Sequence, residues 1–192
     1  MPPAPKPTRA PKGKKRQRVY VRYEDGSCEL CFRSEIGENA EKVYALGTKY
    51  IGEHAALVGL LDTLASNIVR RRDGYKCVIC GGEEKPQCGH VFVRGKWGIR
   101  WDLDNLNCIC GTCNYKDTLP AYSHVYKDWY RWKFGEDKYI RLRARAEAQT
   151  QGKDWTVSEL RILLERMEEL YDRLCSMSLH DEAMMKEIGL YG

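Results

Sequence analysis

Two Cys-x-x-Cys pairs, Cys77/Cys80 and Cys110/Cys113, limit what this chain can fold into more than any other feature. Four thiolates at that spacing suit one tetrahedral zinc ion, which ties together two segments separated by a long intervening stretch. A four-thiolate shell leaves no open position for water, so such a zinc is structural. It would clamp a unit too small to bury its own core, and its binding would contribute folding energy outright. The chain has nine cysteines, an odd number, which argues for metal and reduced thiols rather than a disulfide framework. Cys28-Glu29-Leu30-Cys31 is a third pair of the same form, but no second free pair lies nearby. Two reduced thiols in a local turn are the expectation there.

Between and beside the paired cysteines stand His90, Asn105 and Asn114, which no structural role demands. Gly81-Gly82 fits a tight knuckle whose amides point at metal-bound sulfur. His90-Val91-Phe92-Val93 reads as a short strand, Gly95 to Gly98 as a turn, and Ile99-Arg100-Trp101 as a returning strand. Asp102 to Asn105 leads into the second knuckle, and Asn114 begins a helical segment. The predicted order is strand, turn, strand, helix. A neutral imidazole can take a proton from an attacking water, and one divalent cation can neutralise a pentacovalent phosphorus and a leaving oxygen. His90 is therefore the candidate base, Asn105 the residue that orients its ring or its loop, and Asn114 an oxygen ligand for magnesium or manganese.

Charge adds a partner class. The first 22 residues carry eight basic side chains and no acidic one, leaving the rest at −3 of the overall +5. A basic tail on a near-neutral body suits a polyanion, most simply nucleic acid. Arg70, Arg71 and Arg72 before the first knuckle, with Arg94, Lys96 and Lys116 inside the module, are candidate phosphate contacts. No apolar run suits a membrane span or a signal peptide, so no membrane partner and a cytoplasmic location, in its own cell or a host cell, are expected.

The chain divides into a disordered basic tail (1–18), an N-terminal extension with Cys28 and Cys31 (19–52), a catalytic module with its helices (53–149) and a C-terminal helical segment (150–192). Val19 to Tyr23 reads as a strand and Glu24-Asp25-Gly26 as a turn. Leu57, Leu60, Leu61, Leu64 and Ile68 predict a helix over 53–72, stopped at Gly74. Two helices split at Gly135 follow over 121–149, with the aromatics of the first read as mainly core rather than as a stacking surface. Thr156-Val157-Ser158-Glu159 is a capping box for a helix whose stripe, Leu160 to Leu174, packs on the module or pairs with a second copy in a homodimer. A shorter helix around Asp181 to Ile188 closes the chain.

At these residues the sequence resembles the HNH endonucleases, and more closely the NinG/Rap family of lambdoid phage recombination endonucleases. The resembling features are Ile68-Val69-Arg70-Arg71-Arg72-Asp73, Cys77-x-x-Cys80-Gly81, Gly89-His90, Ile99-Arg100-Trp101-Asp102, Asn105 and Cys110-x-x-Cys113-Asn114. Leu119-Pro120-x-Tyr122 and Trp155-Thr156-Val157 extend them, so the resemblance covers about residues 60–175. It implies an α+β chain built on a small zinc-stapled ββα-metal module flanked by helices. It further implies a divalent-cation-dependent endonuclease that acts on branched DNA such as Holliday junctions or D-loops, with His90 as base and Asn114 at the third signature position. Three departures stand out. Gly89 occupies the place where many HNH enzymes carry an aspartate ligand, leaving Asp102 or Asp104 as candidates for the second ligand. Asn107 stands where that family often has histidine. The N-terminal Cys-rich finger is reduced to Cys28 and Cys31. The competing functions are an HNH nicking or packaging-type nuclease without junction selectivity, a non-catalytic zinc module that binds nucleic acid, and an RNA target.

Overall fold

The computed structural model describes residues 18–24, 28–32, 36–45, 52–148 and 155–176. The expected disordered tail, the 149–154 linker and the helix at 181–188 lie outside the described residues, apart from Arg18, which begins the first strand. The chain is a mixed α+β protein that divides into two compact units after residue 56. Among the described residues, no helix is long and apolar enough to cross a membrane.

The first unit holds a three-stranded antiparallel sheet of β1 (Arg18–Tyr23), β2 (Cys28–Phe32) and β3 (Ala40–Ala45), in the order β2-β1-β3. Val19, Tyr20 and Val21 are all buried, as a central strand covered on both faces requires. The Cys28 to Cys31 segment is therefore strand, not turn: Cys28 pairs with Arg22 and Cys31 with Val19. Three positions apart on a regular strand, the two cysteines point to opposite faces and cannot chelate one ion together.

Helix α1 (Glu53–Arg72) crosses the division and forms as its spacing predicts, with Leu57, Leu61, Ala65, Ile68 and Val69 buried. It ends in a Schellman turn. The Tyr75 amide donates to Arg70 O at 2.7 Å, the Gly74 amide donates to Arg71 O at 3.1 Å, and Gly74 takes a left-handed φ of 61°.

In the second unit, β4 (Pro86–His90) pairs antiparallel with β5 (Leu106–Cys110), and α2 (Gly111–Asp117) follows directly. The order is strand, strand, helix, but both strands sit elsewhere than the hydrophobic pattern predicts. Val91 to Asn105 is a folded loop holding a single turn of 3₁₀ helix at Trp97–Ile99. Asn105 explains the difference. Its Oδ1 accepts from Phe92 N at 2.8 Å, and its Nδ2 donates to Phe92 O at 3.0 Å and Ile99 O at 3.1 Å. Those peptides are committed to one buried side chain, so they do not ladder with each other.

The β4–β5 pair is covered on both faces. One face, with Cys88 and His90, looks toward α1; the other lies under α3 (Val125–Phe134). Gly89 sits on the α3 side. A Cβ there would stand 2.2 Å from Ile109 Cδ1 and 3.4 Å from Tyr126 Cε1, so only glycine fits. Tyr126 and Tyr130 of α3 and Tyr139 and Leu142 of α4 (Glu136–Ala148) complete this core, as the reading of these aromatics as mainly core expects. Trp132, at 79% exposed, and Tyr122, at 46%, are the exceptions.

Helix α5 (Val157–Ser176) opens with the predicted capping box: Thr156 N donates to Glu159 Oε2 at 2.9 Å and Glu159 N to Thr156 Oγ1 at 3.2 Å. Leu160, Leu164, Met167 and Leu174 are buried within the chain itself, as the packing alternative expects, while Ile162 stands 50% exposed. Trp155 anchors the helix entry, donating from Nε1 to Trp97 O at 3.1 Å and meeting the Trp101 ring edge-on.

Gly89→Ala should lower stability by about 1–3 kcal/mol through overpacking against Ile109. Urea midpoints should show this loss partly restored when Ile109→Val is added, and an unchanged midpoint in the single variant would refute the close contact.

Candidate functional site

The four paired cysteines come together. The Sγ atoms of Cys77, Cys80, Cys110 and Cys113 all lie within 4.8 Å of one another, and Cys80 and Cys110 are 3.7 Å apart. A tetrahedron with metal–sulfur bonds of about 2.3 Å has edges of about 3.8 Å, so the cluster is compatible with zinc. Each half is shaped by its backbone. Cys77 N donates to Gly82 O at 2.8 Å, and Gly81 N to Cys77 O at 2.7 Å with Gly81 at φ 72°. Cys110 is the N-cap of α2, and its sulfur accepts from Cys113 N at 3.4 Å. That amide brings the Cys110 thiol down to about 7, which favours the thiolate a metal needs. Desolvation, with the neighbouring thiols, pushes Cys113 the other way.

His90 closes β4 and faces a separate cavity of about 300 Å³ lined by Arg70, Arg94, Arg100, Asp62 and Gln87. Burial, then the charge of Arg94, lowers the His90 pKa to about 4, against a hydrogen bond to the Arg100 backbone and the charge of Asp62. The ring is therefore neutral near pH 7. Asp62 organises the cations. Arg100 reaches it through Nε at 2.9 Å and Nη2 at 2.8 Å, Trp101 Nε1 donates at 3.0 Å, and Arg94 also bonds to it. Burial alone would raise the Asp62 carboxyl; the arginines outweigh that and hold it below the ordinary carboxylate range. Three guanidinium groups against one carboxylate leave the cavity cationic.

The other expected site residues divide. Arg70 and Arg94 line this cavity with His90. Arg72 does not: it is 5% exposed, paired with Asp73 at 2.7 Å and bonded to Leu103 O, Leu106 O and Asn107 Oδ1. Arg71 donates to Leu174 O and Cys175 O and caps the end of α5. Both guanidinium groups are bonded within the fold and neither lines the His90 cavity. Asn105 steadies the loop after His90 rather than its ring. Asn114 sits on α2 outside the cavity lining, and its Nδ2 donates to Oε1 of Gln87, which does line it, at 2.8 Å. Asp102 and Asp104 are bound by α4: Arg145 lies 3.0 Å from Asp102, and Asp104 lies 2.9 Å from Lys138 and 2.8 Å from Arg145. They tie the loop down and do not line the His90 cavity. Lys96 flanks the 3₁₀ turn, and Lys116 stands exposed on α2 with Nζ 5.8 Å from the Tyr122 ring; neither joins the cavity.

Asp62, Arg100 and Gln87 escaped the sequence reading. The signal for Asp62 was present: Asp62, Ser66 and Arg70 recur every four residues, a polar stripe beside the apolar one of α1.

Two outcomes test this site. Cys77→Ser should lose bound zinc on atomic-emission analysis and unfold at lower temperature, whereas a zinc-loaded, equally stable variant would refute the cluster. The folded His90 pKa lies below its unfolded value, so its contribution to stability is present above about pH 6.5 and fades as pH falls toward 4. Urea unfolding of wild type should therefore weaken more steeply between pH 7 and 5 than that of His90→Gln, and parallel curves would count against the buried neutral ring.

No protein-family model matches this chain, and searches of curated proteins and of solved structures return no match.

Proposed function

We propose that this chain is a metal-dependent DNA endonuclease of the HNH, ββα-metal type, akin to the NinG/Rap recombination nucleases. The observation that carries the reading is a neutral histidine at the end of β4, facing a cationic cavity beside a cysteine-stapled strand–strand–helix unit. The sequence resemblance supports it independently. Arg70, Arg94 and Arg100 supply the charge that receives a phosphodiester. One nitrogen of the His90 ring is held by the Arg100 backbone, which leaves the other to accept a proton from the attacking water.

Oxygen donors near His90 suit a hard cation: Asp62 faces the cavity, and the amides of Gln87 and Asn114 are bonded to each other at its edge. These residues would hold magnesium or manganese only in exchange for the bonds that Asp62 makes to Arg94 and Arg100. Bound there, the ion supplies charge neutralisation at phosphorus and at the leaving oxygen. Gly89 supports a ligand arrangement unlike the aspartate–histidine form, since position 89 has no room for a carboxylate. Branched DNA is the proposed substrate, with recombination as the setting. The second reading, a non-catalytic zinc module that binds nucleic acid, draws on one observation: Asp62 is already saturated by two arginines and a tryptophan.

The test is cleavage of a four-way junction, a linear duplex and single strands with magnesium or manganese. Paired cuts near the junction centre are expected. His90→Ala should lose them by about a thousandfold, with DNA affinity unchanged within a few fold. Tight binding without cleavage by wild type would overturn the enzyme reading in favour of the binding module, and equal cutting of every substrate would remove junction selectivity.

A further inference from the structure

Asp62 has no acceptor site left to offer. Its Oδ1 accepts from Arg100 Nε at 2.9 Å and Trp101 Nε1 at 3.0 Å; its Oδ2 accepts from Arg100 Nη2 at 2.8 Å and from Arg94 Nη2. A carboxylate has about four lone-pair sites, and four donors fill them here. Yet among the described residues Asp62 is the one carboxylate that lines the His90 cavity. A cation entering there meets an oxygen ligand that is already taken. The two arginines are not held alike. Arg100 is set in place: its side chain is 12% exposed, it grips Asp62 with two nitrogens, and its guanidinium lies 4.5 Å from the Trp97 ring and 5.5 Å from that of Trp101. Arg94 is not. Its side chain is 56% exposed, it reaches only Oδ2, and among the described residues Asp62 is its one hydrogen-bond partner. It stands in the loop after His90, beside the exposed Val93. An exposed ion pair of this kind contributes little and exchanges readily with other ions.

We propose that Arg94 is a latch on this cation site: it occupies Asp62 until a nucleic-acid phosphate draws it away, and only then is Oδ2 open to a divalent metal. A guanidinium pairs with phosphate in the same fork geometry as with carboxylate, so a backbone phosphate arriving at the cavity competes directly for Arg94. Arg100 and Trp101 stay on Oδ1 and keep the carboxylate in position. Phosphate and metal then bind with positive coupling, each favouring the other to the same degree. Without nucleic acid, Asp62 is closed to stray divalent ions, and the cation is admitted beside the phosphate on which it acts. The inference rests on the metal-dependent reading above and gives that site its regulation, with Arg94 as a positioning residue.

Arg94→Ala tests this with two readouts that need no cleavage. Manganese binding to the zinc-loaded full chain without DNA, followed by electron paramagnetic resonance, should tighten about tenfold. Affinity for a short duplex, with no manganese or magnesium added, should weaken about threefold or more, since a phosphate contact is lost. A residue that only supported the fold would lower both, and a substitution at so exposed a side chain should leave the melting temperature as in wild type. Arg70→Ala is the control for charge. It removes one cation from the same cavity, but Arg70 bonds to Ser66 O and Asn67 Oδ1 rather than to Asp62. It should tighten manganese by no more than about twofold, as salt screens a change of charge alone. Equal tightening by the two variants, an Arg94→Ala chain that binds manganese no better than wild type, or one that binds the duplex as tightly, would each overturn the latch. A chain that shows the two opposite changes but cuts no DNA keeps the latch and loses the endonuclease. A chain that cuts DNA with manganese, while Arg94→Ala takes up the ion as wild type does, loses the latch alone.

Discussion

Among the described residues the outer edge of β5 has no neighbouring strand, and the buried Arg72–Asp73 pair does the work of one. Asp73 Oδ2 accepts the Cys108 amide at 2.7 Å, Arg72 Nη2 donates to Leu106 O at 2.8 Å, and Val78 N donates to Cys108 O at 2.9 Å. Both side chains are almost fully buried and bonded to each other twice. Removing either partner of such a pair strands a charge in the interior, which typically costs 3–5 kcal/mol. The pair also fixes direction. It welds the end of α1 to β5, and the chain then turns at Gly74 straight into Cys77. Helix end, strand edge and first knuckle are thus held as one piece, by hydrogen bonds across space and a short stretch of chain.

From that weld the two faces of β4 acquire their places. The face of β4 that carries His90 looks onto α1, where Asp62 stands about three turns and Arg70 about half a turn before the weld. The opposite face carries Gly89 and meets α3, where Tyr126 accepts from Asn107 Nδ2 at 3.0 Å and approaches Gly89 O. Asn107 has a clear role: it joins Arg72 to Tyr126 through the buried layer. Strand alternation alone keeps the cationic chemistry on one side and the aromatic core on the other.

Local signals were legible in the sequence, and pairings through space were not. The stop at Gly74, the split at Gly135, the capping box at Thr156 and the four-cysteine cluster each depend on a few adjacent residues, and each is found where its spacing puts it. The strands of the central unit were displaced because Val91-Phe92-Val93 and Ile99-Arg100-Trp101 have strand-like composition, yet Asn105 holds their peptides. No one-dimensional pattern reveals that a side chain has taken the hydrogen bonds a ladder needs. The arginine run divides for a related reason. Arg70, Arg71 and Arg72 read alike, but a helix sends successive residues about 100° apart. One therefore reaches a cavity, one a helix end and one the interior.

Gly89 sets a limit on how this site could change over time. A side chain beside His90 meets Ile109, which fills the space it would enter. Any change at position 89 is therefore felt in the core on the α3 side of the strand, so the two faces of β4 cannot be altered independently of each other.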